Sequence, residues 1–346
     1  MNDLFIKEEE KIMIPSFYQS ISDELATLEK KLVEYLLTPN KPTNQVLYHI
    51  FSSGGKRIRP AIFLLSSQLI DYEGEHKYPI ASVCEYIHTA SLLHDDVIDN
   101  STLRRNKPTV NSVWGDETAV LSGDLIYSAA CRLMTKTKSI ELIDDFAECI
   151  RFMSESELYQ LELLWKKDTN IEQYNRVLLG KTATLFQASA KTPCYLKKIE
   201  TGIANLLSDY GKNLGFAFQI FDDCLDYEGQ QKLVGKPVLT DLLEGKVTIP
   251  LIYALNANHS LKNELLILVN KIIETAEATS DDKNRLLNLV KETGGLEKAY
   301  EVAEFYAHSA RNSLNEIKNK INFSDKQTQA FNALYEITYF VMNRKN

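Results

Sequence analysis

Apolar residues recur at spacings of three and four along nearly the whole chain, and no stretch alternates with the period of two that a half-buried strand requires. Between Phe17 and Leu37 the repeat runs Ile21, Leu25, Leu28, Leu32 and Leu36, with charged residues between. The same pattern predicts helices over about 59–72, 79–99, 118–135, 140–164, 171–191, 199–228, 247–257, 262–278, 281–293, 295–319 and 325–343. Turn signals separate them: Gly54-Gly55, Tyr72-Glu73-Gly74, Asn106-Lys107-Pro108, Gly235-Lys236-Pro237 and Gly294-Gly295. The Asn-Gly and Asp-Gly pairs of tight hairpins are missing from the sequence. The expected fold is all-α, with about a dozen helices. No Pro/Gly/Ser-rich linker divides the chain, so 1–346 reads as one domain, with 1–44 a helical segment ahead of the motif-bearing part from about 45 to 346.

Hydrophobic residues are 44% of the 346, enough for a large core, and charged residues are 25%, as in ordinary soluble proteins. A formal net charge of −8 offers no excess positive field to hold a polyanion, which argues against a general nucleic-acid or anionic-membrane binder. The five cysteines (84, 131, 149, 194, 224) are odd in number, scattered and without a Cys-x-x-Cys pair. They indicate neither a disulfide framework nor a zinc site and predict a cytoplasmic protein. The opening MNDLFIKEEEKIMIP is too polar for a signal peptide. No run approaches the roughly 18 apolar residues of a spanning helix, so an integral membrane protein is not expected.

One short internal echo stands out. His94-Asp-Asp-Val-Ile-Asp99 and Phe221-Asp-Asp-Cys-Leu-Asp226 share a pattern, each inside an apolar helical stretch. On a helix, positions i, i+1 and i+4 lie close to one edge. Asp95, Asp96 and Asp99 therefore point together, as do Asp222, Asp223 and Asp226. Like charges repel at this spacing and aspartate is a poor helix former, so stability favours neither cluster. Such dense hard oxygen donors suit Mg²⁺, which takes few carboxylates and completes its shell with water and substrate phosphates. A single copy would read first as a solvated acidic face; two copies point to chemistry.

Metal-binding carboxylates imply an anionic substrate. Ser53-Gly54-Gly55-Lys56-Arg57-Ile58-Arg59-Pro60 is a Gly-rich turn entering a helix, with Pro60 suited to its first turn. A helix start with nearby Lys and Arg is an anion site in principle. Arg104-Arg105 follows the first aspartate cluster, and Lys181-Thr182, Lys236 and Lys246 supply further cations. Each of these, taken singly, reads as solvated surface.

Together these residues carry a resemblance. From about residue 45 onward the chain resembles the trans-isoprenyl diphosphate synthases (the polyprenyl synthetase family), and its long-chain members in particular. The matching stretches are GGKRIRP, LLHDDVIDNSTLRRNKPT, GKTATLF, FAFQIFDDCLDYEG and GKPVLTDLLEGKVTIPL, in that order. The resemblance implies a helical bundle around a deep central cavity, usually homodimeric, with the aspartate motifs facing each other across its mouth. It implies a prenyltransferase that condenses isopentenyl diphosphate with an allylic diphosphate, such as farnesyl or geranylgeranyl diphosphate. The product would be a long all-trans polyprenyl diphosphate, with quinone side chains as its destination.

By position, the resemblance implies that Asp95, Asp96 and Asp99, with Asp222 and Asp223, hold about three Mg²⁺ on the allylic diphosphate, the shell being completed by phosphate and water. Asp226 would act from the outer shell. Arg104, Lys181 and Lys246 would contact that diphosphate, with Lys236 nearby. Lys56, Arg59, His88 and Arg105 would hold the diphosphate of isopentenyl diphosphate, and Thr182 and Gln219 would line the reacting centre. Two departures stand out: Arg104-Arg105-Asn106 where relatives commonly read Arg-Arg-Gly, and Glu155-Ser156-Glu157 where they read Glu-Gly-Glu.

In such a site cations neutralise the leaving diphosphate, an allylic cation forms, the isopentenyl double bond attacks it, and a proton leaves. No side chain reads as a dedicated general base, and in the family the departing diphosphate takes that proton. Water must be excluded. Asn343-Arg344-Lys345-Asn346 resembles the family's basic closing tail, and equally suits a helix C-terminus. Product length would follow cavity depth. Val83, Ile87 and Ser91 form a stripe upstream of Asp95, bordered by Ala90 roughly 7–8 Å below the first aspartate. Relatives making short products tend to carry an aromatic floor at one of these last two positions, so small Ala90 and Ser91 let a tail grow past. Phe146, Phe152 and Met153 then offer a deeper floor, or ordinary core packing. His94 and Cys224 read as packing residues, and Trp114 and Trp165 have no assigned role.

Rival readings fail on context. A di-iron carboxylate bundle needs two Glu-x-x-His pairs on helices; Glu85-Tyr-Ile-His88 fits, but Glu73-Gly-Glu-His76 falls in a turn. Terpene cyclases usually replace the second aspartate motif, and noncatalytic partner subunits usually lack one or both; this chain keeps both. A short-chain geranylgeranyl or farnesyl diphosphate synthase, or a subunit of a two-component polyprenyl diphosphate synthase, remains as the alternative.

Overall fold

The computed structural model describes residues 16–105, 107–228, 238–257 and 260–343. The chain enters through α1 (Ser16–Gln19), α2 (Ser22–Glu34) and α3 (Lys41–Ser52), then α4 (Ile58–Leu69) and α5 (Lys77–Ile98). A two-residue hairpin, β1 (Leu103–Arg104) with β2 (Lys107–Pro108), leads to α6 (Val110–Trp114), α7 (Asp116–Lys136) and α8 (Ile140–Leu163). Next come α9 (Ile171–Leu178), a π-helical turn (Leu179–Ala183), α10 (Thr184–Lys191), α11 (Pro193–Lys197) and α12 (Thr201–Asp226). The rest comprises α13 (Thr240–Leu243), α14 (Ile249–Asn256), α15 (Lys262–Thr275), α16 (Ser280–Glu292), α17 (Gly295–Lys320) and α18 (Asp325–Met342).

The long helices fall where the apolar period places them. Three helix starts, those of α9, α16 and α18, are fixed by reciprocal capping boxes: Asn170 with Gln173, Thr279 with Asp282 and Ser324 with Gln327. Elements of four or five residues, such as α6 and α11, carry too little periodicity to be read from sequence, and α3 was missed although Asn40 caps it. The tiny hairpin escaped for the same reason.

Helix α4 lies at the centre: from Ile58 to Leu69 every residue but Arg59 is buried. That exception faces the site described below. Two apolar clusters flank the long α12. One gathers α2, α4, α5, α7, α8, α10 and α18; the other gathers α14, α15, α16 and the start of α17. Helix α12 feeds both, with Tyr210 and Leu214 in the first and Ile220 and Cys224 in the second. Leu28 and Leu32 seal α2 onto the first cluster, each contributing about 1.5–3 kcal/mol of burial. Buried tyrosine hydroxyls find carbonyl partners, Tyr86 on Leu32 at 2.5 Å and Tyr210 on Leu334 at 2.8 Å.

Residues 171–191, read from sequence as one helix, are interrupted by the π-helical turn that carries Lys181 and Thr182. Tight packing surrounds that turn. A Cβ on Gly180 would lie 2.4 Å from Ser156 Cβ and 2.5 Å from the Phe152 carbonyl oxygen, and one on Gly215 would lie 2.6 Å from Ala183 Cα. Only glycine lets α8 and α12 approach this closely. The extra residue in the turn fits the common use of π-bulges, which re-aim side chains at functional sites.

Candidate active site

The first aspartate motif closes α5. Asp95 and Asp96 occupy its last turn and Asp99 caps it, the Asp99 N–H donating to the Asp95 carbonyl at 2.8 Å. The hairpin then brings Arg104 back to the same helix end. Its Nε donates to both oxygens of buried Asp96, at 2.9 and 3.1 Å, and its Nη2 lies 2.8 Å from Oδ1. Burial pushes the Asp95 carboxyl up to about 6, with Glu157 and Asp99 adding to the rise and Lys181 and Arg104 opposing it.

The second motif closes α12. Buried Asp223 accepts from the Tyr174 hydroxyl at 2.6 Å and from Gln219 Nε2 at 2.9 Å. Thr182 Oγ1 donates to Gln219 Oε1 at 2.9 Å, which joins the π turn to the motif. Asp226 accepts the backbone N–H groups of Thr240 and Asp241 at 3.0 and 3.2 Å. Burial raises Asp223 well above the usual carboxylate range, and the Asp241 and Asp222 charges raise it further. Asp226 and Asp241 are raised too, first by burial.

Two lysines stand between the motifs. Lys181 Nζ lies 3.0 Å from Glu157 and 3.3 Å from Gln160 Oε1, and Lys246 Nζ lies 2.7 Å from Glu244. Lys181 acts electrostatically on both Asp95 and Asp241, and Lys246 on both Asp99 and Asp241. Each lysine therefore feels a carboxylate from either side.

A cavity of about 560 Å³ joins the remaining predicted residues. Lys56, Arg59, His88 and Arg105 line it on one side, and Gln219, Asp222, Asp223 and Asp226 on the other. Burial lowers the Arg59 guanidinium to about 10, its Nε is buried without a hydrogen-bond partner, and it stacks 4.8 Å from the Phe186 ring centre. Burial and the charges of Arg59, Arg105, Arg104 and Arg57 hold His88 well below its usual value, so it is neutral. Crowded cations with an unsatisfied buried donor make a wall built for an anion. A smaller cavity of about 140 Å³, lined by Lys181, Lys246, Tyr174, Gln219 and Asp223, opens on the other side of the second motif.

Among the described residues no three His, Cys, Asp or Glu side chains converge as a protein-only metal cage. The donor set is nonetheless carboxylate oxygen at two helix ends, the hard-ligand type that suits Mg²⁺ completed by phosphate and water. The raised Asp95 and Asp223 mark carboxylates crowded enough to gain from an added cation.

Some expectations need revision. Phe152 lies at the surface, 36% exposed, with the Arg151 guanidinium 4.4 Å from its ring, so it is no cavity floor. Val83, Ile87, Ala90 and Phe146 are fully buried in one apolar cluster, and neither cavity above is lined by them. Ser91 is half-buried and donates to the His88 carbonyl at 2.9 Å. Lys236 and the tail residues 344–346 lie outside the described residues. His94 is a packing residue: a Cβ on Gly123 of α7 would fall 2.3 Å from its Nε2. Cys224 is fully buried. Trp165 covers Gly245, whose left-handed φ of 82° shapes the turn before Lys246, and its N–H donates to the Gly245 carbonyl at 2.8 Å.

Sequence reasoning missed Arg57, Glu85, Glu157, Tyr174 and Asp241. Glu85, whose spacing to His88 suits a di-iron ligand, instead accepts from Arg57 Nη1 at 2.5 Å. Asp241 stands visibly in the DLLEGK stretch, but nothing local foretells that it would lie half-buried beside Asp223, close enough for its charge to raise that carboxyl.

A family model described as polyprenyl synthetase matches residues 40–290. An octaprenyl diphosphate synthase of Escherichia coli is 40% identical over 235 residues, 68% of this chain and 73% of its own length. A geranylgeranyl diphosphate synthase of Sulfolobus acidocaldarius is 32% identical over 331 residues, 93% of this chain and 98% of its own. A polyprenyl synthase of Caulobacter crescentus, solved with calcium and isoprenyl diphosphate, superposes with a TM-score of 0.85 at 30% identity, covering 95% of this chain and 97% of that one.

Proposed function

Since the chain belongs to the polyprenyl synthetase family and is a prenyltransferase, we propose that it condenses isopentenyl diphosphate with an allylic diphosphate, with Mg²⁺, into a long all-trans polyprenyl diphosphate. The observation that carries this reading is the joining, across one cavity, of a cationic wall and an aspartate-bearing helix end. The similarity to an octaprenyl diphosphate synthase supports a long product. Ala90 and Ser91 support it too, because neither is an aromatic floor below Asp95. Quinone side chains are the proposed destination.

Asp95, Asp99 and Asp222, backed by Asp96 and Asp223, would hold the metal, and calcium with isoprenyl diphosphate in the Caulobacter protein supports that assignment. Bound Mg²⁺ would supply Lewis-acid neutralisation of the leaving diphosphate. Lys181, Lys246 and Arg104 add positive charge held in place by Glu157, Glu244 and Asp96 near where that diphosphate would leave. Lys56, Arg59 and Arg105 grip the other diphosphate, and neutral His88 donates one hydrogen bond to it. Thr182 and Gln219 present polar atoms toward the reacting carbons without a strong base, so the proton goes to the departing diphosphate. The tail would descend along α5 past Ala90, opening a layer that is packed in this structure.

No helix among the described residues is long and apolar enough to cross a membrane. A cytoplasmic homodimer is the assembly we propose. Val120, Leu121, Leu158 and Leu161, large side chains exposed on α7 and α8, support a second copy there.

Incubating the protein with farnesyl and isopentenyl diphosphates and Mg²⁺, then sizing the products, tests this reading. Long polyprenols are expected; a product no longer than geranylgeranyl would replace the long-chain assignment with a short-chain one. Ala90→Tyr should truncate the product, because passing a packed ring costs about 1–3 kcal/mol at each elongation step. An unchanged long product from active Ala90→Tyr protein would refute the route along α5.

A further inference from the structure

The Gly54–Arg59 turn meets an unusual set of restraints. Arg57 holds a left-handed backbone (φ 46°), a conformation that costs a non-glycine residue energy, and yet it starts the central helix α4. Its guanidinium is 7% exposed and is gripped from two sides. Nε and Nη2 donate to Glu29 at 2.6 and 3.2 Å, and Nη1 donates to Glu85 at 2.5 Å. Glu85 stands one turn before His88 on α5, so this grip is fastened to the helix that carries a wall residue of the cavity. Glu29 comes from α2, which lies ahead of the matched family region of 40–290.

A second tie comes from the same N-terminal segment. The Tyr18 hydroxyl donates to the Lys56 carbonyl, at the apex of the turn. Phe17, its neighbour, packs edge-on against Phe340 of α18 at 5.2 Å, and Lys56 Nζ lies 6.0 Å from that same ring. Tyr18 and Glu29 thus bracket the turn between Lys56 and Arg59, touching the main chain of one and the residue before the helix that bears the other. Glu29 and Tyr18 do not line the cavity. Their reach into the site runs through the turn.

We propose that Tyr18 and Glu29 are positioning residues for the isopentenyl diphosphate pocket: the N-terminal segment clamps the Lys56–Arg59 turn so that its cations stand ready for the homoallylic diphosphate. The proposal rests on the assignment of Lys56 and Arg59 to that diphosphate. Arg57 and Glu85 also line the cavity, but the Arg57 guanidinium is engaged by Glu29 and Glu85, so Lys56, Arg59 and Arg105 are the cations the proposal assigns to substrate. Preorganised donors spare the binding step the cost of ordering the turn, so loosening the clamp weakens ground-state binding of one substrate without touching the metal side.

Steady-state kinetics on the full-length protein, varying isopentenyl diphosphate and farnesyl diphosphate separately, provide the test. Glu29→Gln should raise KM for isopentenyl diphosphate roughly three- to tenfold, the scale of one lost charge-assisted hydrogen bond. Its kcat and its KM for farnesyl diphosphate should stay within about twofold of the parent. Tyr18→Phe should move the same parameter in the same direction, and Glu29→Asp, which keeps the charge one methylene short, should fall between Glu29→Gln and the parent. Arg59→Ala serves as reference and should raise the same KM by more. If Arg59→Ala raises it while Glu29→Gln and Tyr18→Phe do not, the clamp is refuted and the pocket assignment stands. Equal damage to both KM values and kcat in Glu29→Gln also refutes it, since that is the signature of general destabilisation. If Arg59→Ala leaves isopentenyl diphosphate binding unaltered, the pocket assignment falls and the clamp falls with it.

Discussion

At the end of α5 a buried carboxylate, Asp96, is held by an arginine; at the end of α12 its counterpart, Asp223, is held by a tyrosine hydroxyl and a glutamine amide. The residue pattern is the same in both motifs, but the surroundings differ in charge. Arg104 and Lys181 oppose the rise of Asp95, whereas Asp223 has Asp241 and Asp222 pressing it upward and receives help from neutral donors. Asp226 is likewise fixed by two backbone N–H groups, and its carboxyl is raised with its neighbours. One motif has an arginine on its buried carboxylate, and the other is held by neutral donors alone. The difference teaches that a repeated motif need not be a repeated site: on the proposed reading, the α12 end would depend more on bound metal.

The largest effect should come from removing a proposed metal ligand at either end. Asp95→Ala and Asp222→Ala should each lower turnover by about 10²–10⁴-fold, because several kcal/mol of charge stabilisation is lost. Both variants should keep their helical circular dichroism, since removing a crowded like charge does not harm a helix. Near-normal turnover in one of them would break the comparison by leaving that motif without a catalytic role. Smaller, and more telling, is the contrast between the supports. Arg104→Gln removes a cation and should cost turnover about 10- to 100-fold, within the range of a lost electrostatic donor. Tyr174→Phe removes one hydrogen bond from a carboxylate that keeps Gln219, and should cost turnover less than tenfold. Activity measured at saturating substrate and Mg²⁺ separates them; equal losses would mean that the two carboxylates are held in equivalent ways.

The parts of this comparison legible in the sequence were those carried by local pattern. The period of α5 and α12, the six aspartates and the Gly54–Pro60 turn are all properties of short stretches, and the structure puts the turn and the second aspartate cluster on one cavity, with Lys181 acting on a carboxylate from either motif. What the sequence could not show depends on distant chain meeting distant chain. Tyr174 reaches Asp223 across 49 positions, and Glu29 reaches Arg57 across 28. The π turn at Lys181 lies where α8 and α12 pack closely on Gly180 and Ala183, a contact between distant stretches that the local sequence Leu179–Ala183 does not show. The supposed floor at Phe152 failed because helical period identifies a face without saying whether that face meets the core or solvent.

The smallest effect, a shift in thermal stability, is the most direct measure of how unequal the two ends are. A carboxyl whose pKa is raised on folding binds its proton more tightly in the native state than in the unfolded one. Over the interval between the two pKa values the native state holds more protons, so stability falls as pH rises. For Asp95 that interval runs from the ordinary aspartate value of 3.8 to about 6, and for Asp223, Asp226 and Asp241 the shift has the same sign. The metal-free protein should therefore lose a few degrees of melting temperature as pH climbs from 5 to 8, against the trend of a protein whose carboxylates are salt-bridged. A divalent cation competes with those protons, so Mg²⁺ should raise the melting temperature more at pH 8 than at pH 5. The increment at pH 8 should shrink further in Asp223→Asn than in Asp96→Asn, because Asp96 already has Arg104 to neutralise it. Equal shrinkage in the two variants would show that the metals draw on both helix ends alike.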